Sequence, residues 1–334
     1  MKNRTILLLI VILVAVGGTC IFNAFFKNNV AVDKIVVTVP KMATMSQLQD
    51  SLTAKNVLQN QMTFKLTCHL MRFKTPRMGH YELTSGMSNI DVVRMLRRGQ
   101  HYGVQFTFNN LRTKKQFIEK VDHRFFFNPE DLERLLSDSS YLAQYGFNTE
   151  TCIAAFIPDS YEFFYDITAE EFFEKMLTYY HRFWNDERLQ TAESIGLTPV
   201  EVAVLASIVE EENYKASEKA MIAGLYMNRL HKGMLLQADP TVKFAVGDPS
   251  LKRILNEHIR IDSPYNTYLY PGLPPAPIRI PATSTMDSVL HYTHHNYLYM
   301  CAKSDLSGFH DFATTLSQHQ RNAAAYHRAI SRMK

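Results

Sequence analysis

The chain has 334 residues, 46% of them hydrophobic and 20% charged, with a formal net charge of +4. That length and balance are globular, with room for one large or two medium domains and a sizeable core. A charge this mild makes no case for nucleic acid, and four cysteines without C-x-x-C spacing make none for a zinc knuckle or a thiol redox motif.

Thr5 to Phe26 contains no charged residue, and about 20 apolar residues suffice to span a bilayer. Lys2 and Arg4 precede the run, so the positive-inside rule puts the N-terminus in the cytoplasm and the rest of the chain outside. The run is long for a signal peptide and no A-x-A site lies beyond it. Thr19 is a poor residue before a lipidated Cys20. An uncleaved anchor is expected, with residues 1–4 as a cytoplasmic tail, 5–26 as the span and 27–34 as a linker.

Ile35 to Val39 reads as a strand closed by Pro40. Ser46 with Gln49 forms the pattern of a capping box opening a helix to about Val57, and a second helix is expected over Met62 to Arg72. Gly79 to Thr84 reads as a strand, Ser85-Gly86 as a turn, and Ser88 as the cap of a helix carrying Ile90, Val93 and Leu96 that ends at Gly99. Residues 35–100 have the size of a small α/β module. Residues 101–150 are expected to connect that module to the remainder of the chain, with a strand over Gln105 to Phe108 and helices over Lys114 to Val121 and Pro129 to Ser137. Phe156 to Tyr165 packs aromatics around a Pro-Asp turn. Such rings could line a sugar cleft or fill a core. Phe172, Phe173, Met176, Leu177, Tyr180 and Trp184 fall at helical spacing and read as core.

Leu197 to Asn213 is the stretch around which the rest of the chain is organised. Thr198, Pro199 and Glu201 are a cap, a first helical position and a capping-box partner. Val202, Leu205, Ile208 and Val209 make an apolar stripe whose continuation lands on Glu212. Glu211 falls beside that stripe as a solvated bystander and Glu210 behind it. A carboxyl held against apolar surface has a raised pKa, which suits a general acid, although the window alone also reads as a solvated acidic helix end. A helix over Ser217 to Leu230, stopped at Gly233, comes next. Leu236 to Val242 reads as a polar turn. Asp262 to Pro281 is broken by Pro264, Pro271, Pro274, Pro275, Pro277 and Pro281 into a long irregular loop, of the kind that usually carries function. A short helix over Thr283 to Leu290, a buried strand over Tyr297 to Cys301 with a partner over Gly308 to Phe312, and a basic helix from Thr315 complete the chain. His291, His294 and His295 have metal-compatible spacing but read better as surface residues, so neither a metal nor a cofactor is expected. Nucleotide-loop and G-x-S-x-G motifs are absent. Among Cys68, Cys152 and Cys301 at most one disulfide is possible, and the sequence does not say which.

The order I-V-E-E-E-N, S-E, N-R-L-x-x-G-M-x-L-Q-A-D-P-T-V, Y-N-T-Y-x-x-x-G-L-P-P-x-P-I, Y-L-Y and H-x-F resembles the YceG-like family of membrane-bound endolytic murein (lytic) transglycosylases. The likeness covers most of Ser207 to His319. It extends more weakly through the P-D-S-Y turn into Gly79 to Gly99, which is similar to the family's LysM-like module. The resemblance implies an α+β fold: one transmembrane helix, a small LysM-like module and a larger catalytic domain over residues 151–334 with a lysozyme-like site. It implies a bacterial inner-membrane enzyme, with its catalytic domain in the periplasm or outside, that cuts nascent peptidoglycan strands between N-acetylmuramic acid and N-acetylglucosamine. Peptidoglycan synthases and division proteins are the protein partners it suggests. Glu212 matches the second glutamate of the family's E-x-E-T motif and is the expected catalytic acid, with Glu210 as second choice. Gln237, Asp239, Thr241, Tyr265, Asn266 and Tyr268 are the expected substrate-binding residues. Asn213 and Ala238 depart from usual threonines, and Asn109-Asn110 stand where Glu-Gly is common. A hydrolase using water and a non-enzymatic wall-binding scaffold are the competing readings.

Overall fold

The computed structural model describes residues 2–99, 102–109, 111–213, 215–248, 251 and 253–332, so Gln100 and Asn110 lie outside the described residues. The fold is mixed α+β. In chain order the elements are α1 (Lys2–Phe26), β1 (Lys34–Val39), α2 (Met45–Ala54), α3 (Gln61–Leu70), β2 (Gly79–Thr84), α4 (Asn89–Arg98), β3 (Val104–Phe108), α5 (Lys114–Val121), α6 (Pro129–Leu135) and α7 (Ser139–Ala143). Next come β4 (Asp159–Phe163), α8 (Ala169–Phe183), α9 (Asp186–Ser194), α10 (Pro199–Glu212), α11 (Ala216–His231), α12 (Asp239–Val246), α13 (Thr283–Leu290), β5 (Tyr299–Ala302), β6 (His310–Ala313) and α14 (Leu316–Ser331). The chain forms two compact units. One comprises residues 1–106, 123–128 and 161–168, and the other residues 107–122, 129–160 and 169–334. The region 101–150, expected as a connection, contributes to both.

In the smaller unit β1 and β2 pair antiparallel, from Lys34 opposite Thr84 to Val39 opposite Gly79. Val37, Val39, Tyr81 and Leu83 point from this sheet into a core shared with Leu48 and Leu52 of α2, Phe64 of α3 and Val92, Val93 and Leu96 of α4. The capping box of α2 is made by Thr44 and Gln47, not by Ser46 and Gln49, so the helix starts earlier and ends at Ala54. Both pairs satisfy the pattern, and the choice falls on the one that turns Leu48 and Leu52 inward. Ser88 caps α4 as expected, and Gly99 closes it in the left-handed conformation. Ile6–Phe26 is long and apolar enough to cross a membrane. Its last turn is bonded to the small unit: the Ala24 carbonyl accepts from Thr67 Oγ1 at 2.7 Å and from Asn89 Nδ2 at 2.8 Å. The expected linker 27–34 is likewise tied down, with Asn29 donating to Asn60 O and Asn89 Oδ1 and accepting from Asn60 N.

The larger unit is built around α10. Val202 to Val209 are buried without exception, so the expected one-sided stripe is an all-round apolar helix. Elements α9, α11, α12 and α13 pack on it. The proline-rich segment packs there too: Ser207 Oγ accepts from Ile278 N at 3.0 Å, and Ala276, Ile278 and Ile280 are buried. Three short pieces carry no strong sequence signal: α7, α9 and a 3₁₀ turn over Thr151–Ala155. Of the aromatics of the P-D-S-Y region, Phe156, Tyr161 and Phe163 are buried and Phe164 is exposed, and a strand replaces the simple turn. Pro240 opens α12 where a turn was expected, because proline suits the first turn of a helix. Strand β5 is half-buried, not buried. All four cysteines are free.

Candidate active site

Helix α10 begins on the capping box of Thr198 and Glu201 and emerges from the core at Glu210, Glu211 and Glu212. Each glutamate meets different partners. Glu210 accepts from Thr285 Oγ1 and, at 3.1 Å, from Ala282 N, with Lys219 Nζ at 3.4 Å. Glu211 pairs with Arg279 at 2.6 Å and Arg112 at 2.8 Å. It is therefore an ion-paired anchor for the proline-rich segment, not a solvated bystander. Arg279, only 3% exposed, was invisible to helical register because it arrives from far along the chain.

Glu212 alone faces a cavity of about 370 Å³, together with Tyr226 and Arg229 of α11, Gln237, Asp239, Tyr268 and His310. The Tyr226 hydroxyl donates to Glu212 Oε1 at 2.5 Å. Burial pushes the Glu212 carboxyl up to about 7. The Tyr226 hydrogen bond acts against that, the charge of Asp239 acts with it, and His310 and Arg229 oppose it. Burial and the Glu212 charge hold the Tyr226 phenol well above its ordinary range, so it remains a donor.

The opposite wall is set by Arg229. Its guanidinium donates to the carbonyls of Leu298, Leu235 and Leu236 and to Gln237 Oε1. Gln237 adopts a left-handed φ of 50°, a strained conformation for a residue with a side chain, and its N–H bonds Thr267 O at 3.0 Å. The Tyr268 hydroxyl donates to Asp239 Oδ1 at 2.6 Å.

Of the expected substrate-binding residues, Gln237, Asp239 and Tyr268 share the cavity with Glu212. Thr241 and Asn266 do not. Both are fully buried, Thr241 bonded to Ala238 O and Thr267 Oγ1, and Asn266 donating to the carbonyls of Ile259 and Ile261. They shape the loops that carry their neighbours. Tyr265 packs against Phe244 with ring centroids 4.8 Å apart and planes tilted by 50°, and it is not part of the cavity lining. Asn213 caps α10 and donates to Glu218 Oε2 at 2.5 Å. Arg229 and His310 lie in the N-R-L and H-x-F strings but were not expected as site residues, and Tyr226 was not singled out. Tyr226 lies 14 positions from Glu212 on the next helix, a separation with no periodic signature. Among the described residues no three His, Cys, Asp or Glu side chains are grouped to hold a metal.

The model of the YceG-like family matches residues 37–325. The chain belongs to the YceG-like family. Among relatives, it is 27% identical to the endolytic murein transglycosylase of Bacillus subtilis (strain 168), covering 93% of this chain and 91% of that protein. It is 25% identical to the endolytic murein transglycosylase of Streptococcus pneumoniae, covering 87% of this chain but 58% of that protein's length. The 2.6 Å crystal structure of a yceG-like protein from Listeria monocytogenes superposes with a TM-score of 0.57 at 25% identity, over 86% of this chain and 98% of that one. The YceG-like match takes in Glu212 and every residue described here in the cavity wall.

Proposed function

We propose that this YceG-like chain is an endolytic murein transglycosylase whose catalytic acid is Glu212. The observation that carries the reading is a carboxyl raised to about 7 at the mouth of a buried helix, held by Tyr226 and facing a polar cavity. A carboxyl in that range is protonated for a useful fraction of the time near neutral pH, as a general acid must be. Protonated Glu212 donates to the glycosidic oxygen between N-acetylmuramic acid and N-acetylglucosamine. The muramyl C6 hydroxyl attacks C1 and closes a 1,6-anhydro ring, and the carboxylate left on Glu212 is the simplest acceptor for its proton. An attacking hydroxyl already on the same sugar has a high effective concentration, so a second carboxylate is dispensable. Gln237, Asp239 and Tyr268 line the same lysozyme-like cleft and contact the glycan. Hydrolysis by water is the second reading, favoured by Asp239 in the cavity wall as a candidate base.

The β1–α2–α3–β2 order of the smaller unit supports a LysM-like module for residues 35–100, and α1 supports a single-pass anchor in the bacterial inner membrane. Lys2 and Arg4, in the first turn of α1 ahead of its apolar run, support an N-terminus in the cytoplasm and a larger unit outside. Muropeptide analysis of sacculi treated with wild type and with Glu212→Gln tests the assignment. Wild type is expected to release chains ending in anhydro-muramic acid and the variant to leave strands intact. Equal cutting by both removes Glu212 from the mechanism, and reducing ends in place of anhydro ends select hydrolysis.

A further inference from the structure

One group in the cavity wall has no part in that chemistry. His310, on β6, is held by Glu218 of α11 through two hydrogen bonds: its backbone N–H to Oε1 and its ring Nδ1 to Oε2, each at 3.0 Å. Asn213 Nδ2 donates to the same Oε2. The buried Glu218 carboxyl thus accepts from His310 N and Asn213 Nδ2, and Asn213 Nδ2 also lies 3.4 Å from the ring Nδ1. A neutral ring that donates from Nδ1 to Glu218, the shorter of its two contacts, carries its lone pair on Nε2. Among the described residues Nε2 has no hydrogen-bond partner, yet it is not a sealed, unsatisfied atom, and the ring lines the cavity that holds Glu212. A histidine fixed in one tautomer by a buried carboxylate, with its other nitrogen free beside a reacting centre, is the arrangement of an oriented base.

We propose that His310, oriented by Glu218, is the base that accepts the muramyl C6 hydroxyl proton as the anhydro ring closes. The proposal rests on Glu212 being the acid. On a stepwise route Glu212 alone gives its proton and its carboxylate then takes the next. With His310 in the same cavity wall as the acceptor, the two transfers fall to separate groups. The C1–O bond to the leaving sugar breaks as Glu212 protonates its oxygen, the C6 oxygen bonds to C1, and the C6 hydroxyl proton passes to Nε2. Glu212 is left as carboxylate and His310 as imidazolium, and one proton moving back through solvent resets the site. No other reactant is required.

The test uses the full-length chain in detergent on purified glycan strands, comparing wild type with His310→Ala, His310→Gln, Glu218→Gln and Glu212→Gln. Loss of an oriented base is expected to lower kcat by roughly 100-fold or more in both His310 variants, with KM changed little. Anhydro ends are expected to fall relative to hydrolysed ends, because the C6 hydroxyl loses the group that activates it while water does not. Added imidazole is expected to restore part of the His310→Ala rate, and Glu218→Gln to fall between wild type and the His310 variants. A structural role alone predicts neither the changed product ratio nor the rescue. The proposal is overturned if either folded His310 variant keeps a rate within threefold of wild type and an unchanged anhydro fraction. If Glu212→Gln is inactive while the His310 variants behave as wild type, only His310 is removed. If Glu212→Gln itself cuts normally, the acid assignment fails first.

Discussion

At the scale of single residues, the proposed chemistry depends on how Glu212 is held apart from its two neighbours. Its raised pKa has a testable sign. Activity that needs the protonated carboxyl is complete on the acid side and is lost as pH rises through about 7. The Tyr226 hydrogen bond favours the charged form, so Tyr226→Phe is expected to move that alkaline limb upward by about one unit, the worth of one hydrogen bond to a charged group. A pH–rate profile of kcat/KM for the two proteins measures the shift. The sequence singles out Glu212 by register and by family resemblance, but not why its neighbours differ from it. Glu211 reads as solvated from its position on the helix, and only the arrival of Arg112 and Arg279 makes it a buried ion pair. Thr241 and Asn266 belong to the same distinctive strings as Asp239 and Tyr268. A shared string does not separate residues that touch a cavity from those that brace the loop behind it.

At the scale of elements, α10 departs from the usual electrostatic pattern. Its last turn carries three acids and no base, at the end where the helix dipole is negative. That placement, with burial, favours the neutral form of Glu212 and charges a stability penalty whenever it ionises. Its folded pKa lies above the ordinary carboxyl value of 4.5. Its stabilising contribution is therefore complete below that ordinary value and lost as pH rises through about 7. Glu212→Gln is accordingly expected to raise unfolding stability by about 3 kcal/mol at pH 8 and by little at pH 4, as measured by denaturant titration. Glu211→Ala should act in the opposite direction. It strands Arg279 in the interior and is expected to cost about 3–5 kcal/mol, with the proline-rich segment loosened from α10. The capping residues Thr198, Ser88 and Gly99 were legible because they act locally. The all-round burial of α10 was not, since its smaller residues Ala203, Ala206 and Ser207 become core only when four other helices surround them.

At the scale of the whole molecule, the element order was largely readable and the division into units was not. Residues 123–128 and 161–168 return to the smaller unit from inside the sequence of the larger one, and no local composition marks such a return. The apolar span was the most legible feature, and its removal carries a plain expectation. A chain lacking residues 1–26 should partition from the membrane fraction to the soluble fraction on cell lysis, as read by fractionation and immunoblot. The bonds from Thr67 and Asn89 to the Ala24 carbonyl, with Asn29 knotted between Asn60 and Asn89, make the junction after that span a clamp instead of a leash. A leash of flexible residues would let the smaller unit wander over a volume that grows with its length. A clamp fixes how far that unit stands from the last turn of the helix. With α1 embedded, the smaller unit is confined to a thin layer beside the bilayer, and its diffusion becomes two-dimensional.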